Sequence, residues 1–132
     1  MKSIYSIMII LGVLLAGDAV WLALMAQRFY RVYIGYIMND QFNYIYAALF
    51  YGMYAMVIYY LALKPGLEHN SICLARFNGC LLGLAAYGAY NLTNHATLRG
   101  WPLIVTIVDT LWGTTITGAV SYISFLIISK VL

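Results

Sequence analysis

The stretch Ile4–Ala26, IYSIMIILGVLLAGDAVWLALMA, carries one charged side chain, Asp18, in an otherwise almost wholly apolar run. As an α-helix it rises about 34 Å, enough to cross the roughly 30 Å hydrocarbon layer of a bilayer. Three more stretches meet the same requirement: Asn43–Leu63, Ile72–Thr97 and Leu103–Ile128. Together they predict an all-α integral membrane four-helix bundle, with the 132 residues forming a single four-span transmembrane domain. Lys2 ahead of the first run has the look of a secretory leader. The run is longer than a cleavable core needs, so it is expected to stay as a helix.

Composition agrees. Hydrophobic residues make up 64% of the chain and charged residues 8%, against roughly 45–50% and about 25% in soluble domains. A water-soluble domain of this size could not hide so much apolar surface. The net charge of +3 is scattered, with no run of Lys or Arg to neutralise a row of phosphates, so no nucleic-acid partner is expected. Cys73 and Cys80 lie about 10 Å apart along one helix, too far to bridge, and read as small apolar helix residues.

The connections carry turn chemistry. Lys64-Pro65-Gly66 reads as a helix stop and His69-Asn70-Ser71 as a source of caps for the next helix. Arg99-Gly100 reads as the end of the third helix, with Pro102 suited to the first turn of the fourth. Connections this short make helices two, three and four successive antiparallel neighbours. The first connection, Gln27 to Phe42, is longer. Phe29, Tyr30, Tyr33, Ile34 and Ile37 recur in it at helical spacing, which fits a short interfacial helix and an extension of helix one equally. Lys2, Lys64, Arg76 and Lys130 fall on the side of the termini and Arg28, Arg31 and Arg99 on the other. This one-charge excess leans toward cytoplasmic termini in a bacterial inner membrane.

Thirteen tyrosines and three tryptophans exceed what interfacial belts require. A belt accounts for Tyr5, Trp101 and the first connection. Trp21, Tyr51, Tyr54, Tyr87 and Trp112 are expected below the membrane surface.

Asp18 and Asp109 open the same short pattern, Asp18-Ala19-Val20-Trp21 and Asp109-Thr110-Leu111-Trp112, which puts carboxylate and indole on one helix face. Counted from the helix ends, both acids lie roughly 9–12 Å below the surface away from the termini. Helix three reaches that level near Asn91, with Tyr87, Tyr90 and Asn94 close by, and helix two near Tyr51. The predicted polar site is therefore Asp18, Asp109, Asn91, Asn94, Tyr87, Trp21, Trp112 and Tyr51. A carboxylate facing lipid costs several kcal/mol, so these groups should face the bundle interior. Gly79 and Gly83 form a small-xxx-small pattern on the same stripe of helix three and permit close helix approach.

Two carboxylates at one depth suit sharing a proton or holding a cation, whereas a purely structural layer would simply join helices. No His or Cys cluster points to a metal, no phosphate loop is present, and no Ser or Cys has a paired base. No cofactor is expected.

The run Ala86-Tyr87-Gly88-Ala89-Tyr90-Asn91-Leu92-Thr93-Asn94-His95-Ala96-Thr97-Leu98-Arg99-Gly100-Trp101-Pro102 resembles the signature of a family of small bacterial membrane proteins, domain of unknown function 2177. Asp18-Ala19-Val20-Trp21-Leu22, Phe29-Tyr30, Ala47-Ala48-Leu49-Phe50-Tyr51 and Asp109-Thr110-Leu111-Trp112-Gly113 carry the same likeness. The resemblance implies a four-helix membrane protein and a neighbourhood of lipid-modifying enzymes. It also implies an acid in relatives where this chain has Asn91, which leaves Asp18 and Asp109 as the acidic pair. The leading expectation is a binding or transport protein for a proton, cation or lipid headgroup. Four helices make a thin wall for a conduit, which favours a homo-oligomer. The alternatives are an intramembrane enzyme or accessory subunit in fatty-acid modification, and an assembly factor.

Overall fold

Apolar runs with few charges must close every backbone hydrogen bond internally, and helices do so. The computed structural model describes residues 2–131. Four helices long and apolar enough to cross a membrane make up almost all of it: α1 Lys2–Ile37, α2 Tyr44–Glu68, α3 Ile72–Thr97 and α4 Leu103–Val131. No strand occurs among the described residues.

The first connection continues helix one; it is not a separate interfacial helix. α-Helical geometry holds to Met25, a π turn spans Ala26–Tyr30, and Arg31–Ile34 and Gly35–Ile37 follow as α and 3₁₀ turns. The π turn redirects the chain. Phe29 within it and Ile34 beyond it pack with Trp101 and Val105, and Tyr36 Oη donates to the Gly100 carbonyl at 2.9 Å. Trp101 is thus 6% exposed beneath this segment, with its indole N–H on Thr106 Oγ1, and does not belong to a surface belt.

The expected stop at Lys64-Pro65-Gly66 does not occur, and α2 runs on to Glu68. Pro65 has no N–H for the Leu61 carbonyl four residues back. A second π turn, Tyr59–Leu63, loosens the helix there, and Asn78 Nδ2 from α3 donates to the Leu61 carbonyl at 3.1 Å. The helix stops at Asn70, whose φ of 49° is left-handed, and Ser71 caps α3 by accepting from the Leu74 N–H at 3.1 Å. α3 ends before Gly100, whose φ is +76°, and Pro102 sits just ahead of α4, where its carbonyl accepts from the Thr106 N–H.

The bundle closes. α4 packs along the length of α3 and also against α1, while α2 packs on α1 and, through its second half, on α3. Helix one therefore meets helix four without a short loop to force it. Lys2, Ser6, Ile128 and Ser129 line one hollow, so both ends of the chain are on one side. The core of the terminal half contains Ile10, Leu14, Ile58, Leu63, Val120 and Ile128.

The α3–α4 seam is made of small residues. A Cβ on Gly83 would run into the Gly113 carbonyl group, with its carbon at 2.8 Å. One on Gly79 would sit 2.8 Å from the Thr117 carbonyl oxygen, and one on Gly113 would overlap the Tyr87 ring. Backbones this close gain dispersion contacts along the whole seam, the main cohesive force left where lipid is as apolar as leucine. Gly12, by contrast, has nothing within 4 Å of such a Cβ. Gly83→Ala should accordingly lower the thermal midpoint in detergent, by about 1–3 kcal/mol of overpacking. Gly12→Ala should leave the midpoint unchanged or raise it, through a stabilisation of up to about 1 kcal/mol. Equal shifts for the two would refute the seam.

Candidate functional site

Asp-x-x-Trp occurs once on α1 and once on α4, and the bundle brings the two copies face to face. Trp112 Nε1 on α4 donates to Asp18 Oδ1 on α1 at 3.1 Å, and the Tyr51 hydroxyl on α2 donates to Asp18 Oδ2 at 2.5 Å. In the other direction Trp21 Nε1 on α1 donates to the Tyr30 hydroxyl at 3.0 Å, and that hydroxyl donates to Asp109 Oδ1 on α4 at 2.5 Å. Asn91 Nδ2 on α3 completes the set at 2.7 Å from Asp109 Oδ2. The indoles of Trp21 and Trp112 stack between the two halves, with centroids 4.2 Å apart and planes 6° from parallel. Each helix thus lends its tryptophan toward the other helix's carboxylate, directly in one case and through Tyr30 in the other.

Local sequence explains the pointing. A separation of three puts Trp21 over Asp18 and Trp112 over Asp109 on their own helices. With the indoles stacked, each N–H projects across the helix pair. Gly113 beside Trp112 leaves room for the Tyr87 ring, which lies against the α4 backbone. Asn91 is fully buried, and its Nδ2 also donates to the Tyr87 carbonyl at 2.8 Å. Both amide hydrogens are engaged, while Asn91 Oδ1 is a buried acceptor without a partner.

Asp18 is 8% exposed and Asp109 half-buried. Both open onto the same space. A cavity of about 260 Å³ is bounded by the two aspartates, Trp21, Trp112, Tyr30, Tyr51 and Tyr87, and roofed by Leu22, Ala26, Ile34 and Met38 from α1 and the segment after it. A second cavity, of about 310 Å³, shares Asp18, Asp109, Tyr51 and Tyr87 and adds Phe50, Ala86 and Tyr90. Neither is lined by Lys, Arg or His. Every protein group bonded to the carboxylates is a hydrogen-bond donor: two phenols, an indole and an amide. Each carboxylate accepts one bond per oxygen and has lone pairs to spare.

Of the eight residues expected here, Asp18, Asp109, Asn91, Trp21, Trp112 and Tyr51 form one connected network, and Tyr87 walls both cavities. Asn94 is not brought to it: the residue is half-buried, lines neither cavity and makes no bond to a carboxylate. One turn beyond Asn91 on α3, it is too far along the helix to reach them. Tyr30 is the member that sequence reasoning left in the connection. Its signal was present in the helical stripe that it shares with Tyr33, Ile34 and Ile37, but the π turn that aims it back could not be read from spacing.

Fold and site together define a four-helix membrane protein organised around two carboxylates inside its spans. The chain belongs to the family of predicted membrane proteins designated domain of unknown function 2177 (DUF2177), whose pattern matches residues 3–126. No curated protein and no solved structure matches it.

Tyr30→Phe removes both the donor to Asp109 and the acceptor for Trp21. The expected cost is about 1 kcal/mol of thermal stability, with faster amide exchange across Ala26–Ile37. Tyr33→Phe, in which the exposed residue makes no such bond, should change neither. Unaltered exchange in Tyr30→Phe would mean that the bond does not hold the segment down.

Proposed function

We propose that this protein is a membrane binding or transport protein whose Asp18–Asp109 pair holds a cation within the bundle. One observation carries the reading: two carboxylates open onto a shared apolar cavity that no basic side chain lines. Charge in a low-dielectric site needs a counter-charge, and an uncompensated carboxylate at membrane depth costs about 2.5–3.5 kcal/mol even on lenient insertion scales. A proton or a bound cation supplies it. The walls favour a cation, because indole and phenol rings present negative π faces worth about 2 kcal/mol to a desolvated positive charge.

The donors matter as much as the acids. Tyr30, Tyr51, Trp112 and Asn91 fix the carboxylate planes, so a ligand meets a preorganised site and does not have to order it. The segment after the first π turn roofs one cavity. Tyr30 ties that roof to Asp109, so displacement of this hydrogen bond by a ligand would couple occupancy to the position of the roof. Such coupling is what a carrier requires of a binding site.

A bacterial inner membrane with both termini in the cytoplasm is the setting that the Lys and Arg distribution favours.

Tetramethylammonium titrated into the reconstituted protein should change the emission of the stacked tryptophans saturably. Asp109→Asn should weaken binding about tenfold or more, the loss of about 1.4 kcal/mol or more of charge interaction, while circular dichroism shows the helices intact. Equal binding by Asp109→Asn, or no saturable response in the native protein, would sink the cation site.

A further inference from the structure

We infer that the ligand of this site is a single-chain amphiphilic cation, a quaternary ammonium with a hydrocarbon tail, and that it enters sideways from the bilayer through a gap between α2 and α3. The inference rests on the reading of Asp18 and Asp109 as a cation site and adds the chemical class and the route.

The gap follows from how α2 is packed. Its second half lies against α3, held by the short turn to Ser71 and the Asn78 bond to Leu61. Its first half leans on α1 instead. From Tyr44 to Met53 no residue of α2 is buried, and Tyr54 is the first that is. Across this half the two helices meet through rings, as in the Tyr54–Tyr87 pair with centroids 6.3 Å apart. The larger cavity lies in this gap. Phe50 and Tyr51 of α2 and Ala86 and Tyr90 of α3 form its rim, and Asp18 and Asp109 form its floor. It is an apolar passage at the depth of the acyl chains, ending on two carboxylates.

The head group follows from the polar inventory. The hydroxyls of Tyr30 and Tyr51, the indole N–H of Trp112 and the amide of Asn91 are already committed to the acids. Apart from the two acids, the passage is lined by Phe50, Tyr51, Ala86, Tyr87 and Tyr90, whose ring faces and apolar surface suit a methylated head group better than the strongly hydrated N–H bonds of a primary ammonium. A quaternary ammonium brings none and needs only charge and ring faces. A tail suits the passage because its rim opens onto lipid, with Tyr90 56% and Phe50 38% exposed. A choline phospholipid carries the same head group, but its phosphate would sit against two carboxylates. The free monocation is therefore the favoured occupant.

The test compares decyltrimethylammonium with tetramethylammonium on the full-length protein, in nanodiscs of phosphatidylethanolamine and phosphatidylglycerol, which contain no choline. Tryptophan emission reports binding, and affinities are referred to the ligand concentration in the disc. The native protein should prefer the decyl cation. Ala86→Phe, which fills the gap without touching a carboxylate, should reduce that preference about tenfold, as should Phe50→Ala by removing the wall along the tail. Because the readout is a ratio of two ligands on one preparation, a variant that had lost its fold would lose both and be recognised. A preference unchanged in both variants, or a native protein that binds the two cations equally, would overturn the lateral route while leaving the cation site standing. Binding of neither cation to the native protein would overturn the site itself.

Discussion

Hydrocarbon offers a carboxylate neither hydrogen bonds nor counter-ions, and Asp18 and Asp109 lie inside segments that must cross it. Each acid must therefore be met by groups from other helices. Asp18 on α1 is met from α2 and α4, and Asp109 on α4 from α3 and the far end of α1. Every helix contributes a donor, so satisfying the two acids is geometrically the same requirement as closing the bundle. The apolar cores on either side are less specific. Ile10, Leu14 and Val120 gain little by packing on each other instead of on lipid, so they fill the bundle once the acids and the glycine seam have fixed its register.

The same constraint explains why the site is open. A layer serving only as glue would be expected to saturate its acceptors and leave no space. Here the donors take one bond per carboxylate oxygen, the Asn91 carbonyl oxygen is left without a partner, and two cavities flank the acids. Tyr54 with Thr117, three residues past Tyr51 on α2, shows what closure looks like: a buried hydroxyl pair at 2.6 Å. The polar interior thus has a closed level and an open one, and the acids are at the open level.

How much was legible in the sequence depended on whether a feature was local. The extent of α3, Ile72–Thr97, was readable to the residue because Ser71 and Gly100 bracket it with chemistry that acts within a few positions. The grouping of Asp18, Asp109, Asn91 and Tyr51 was readable because helical rise is a ruler. Helix two outran its apparent stop because a residue seventeen positions away, Asn78, takes over the carbonyl that Pro65 abandons. Trp101 was misplaced for the same reason, since what buries it is the extension of α1. Tyr30 lies nine residues from Trp21 and 79 from Asp109. Only the π turn, a one-residue slip in hydrogen-bond register, makes it a neighbour of both. Such slips have no reliable composition.

The two π turns also divide the molecule in a way that bears on function. The one in α2 lies at the end where helices two and three are clamped together, and the one in α1 lies where the chain passes onto Trp101 and Val105. A π turn carries one residue more than the helix around it and is frequent at functional sites. The two π turns therefore mark where the α-helical register of α1 and α2 breaks, one beside the roof and one beyond the splayed half of α2. Between them lies the α3–α4 seam, where glycines bring the backbones into contact and a shift of one helix along the other would meet carbonyl groups within a few tenths of an ångström. The close-packed α3–α4 pair carries Asp109 together with the donors Asn91 and Trp112, and α1 and α2 bring Asp18, Tyr30 and Tyr51 against it.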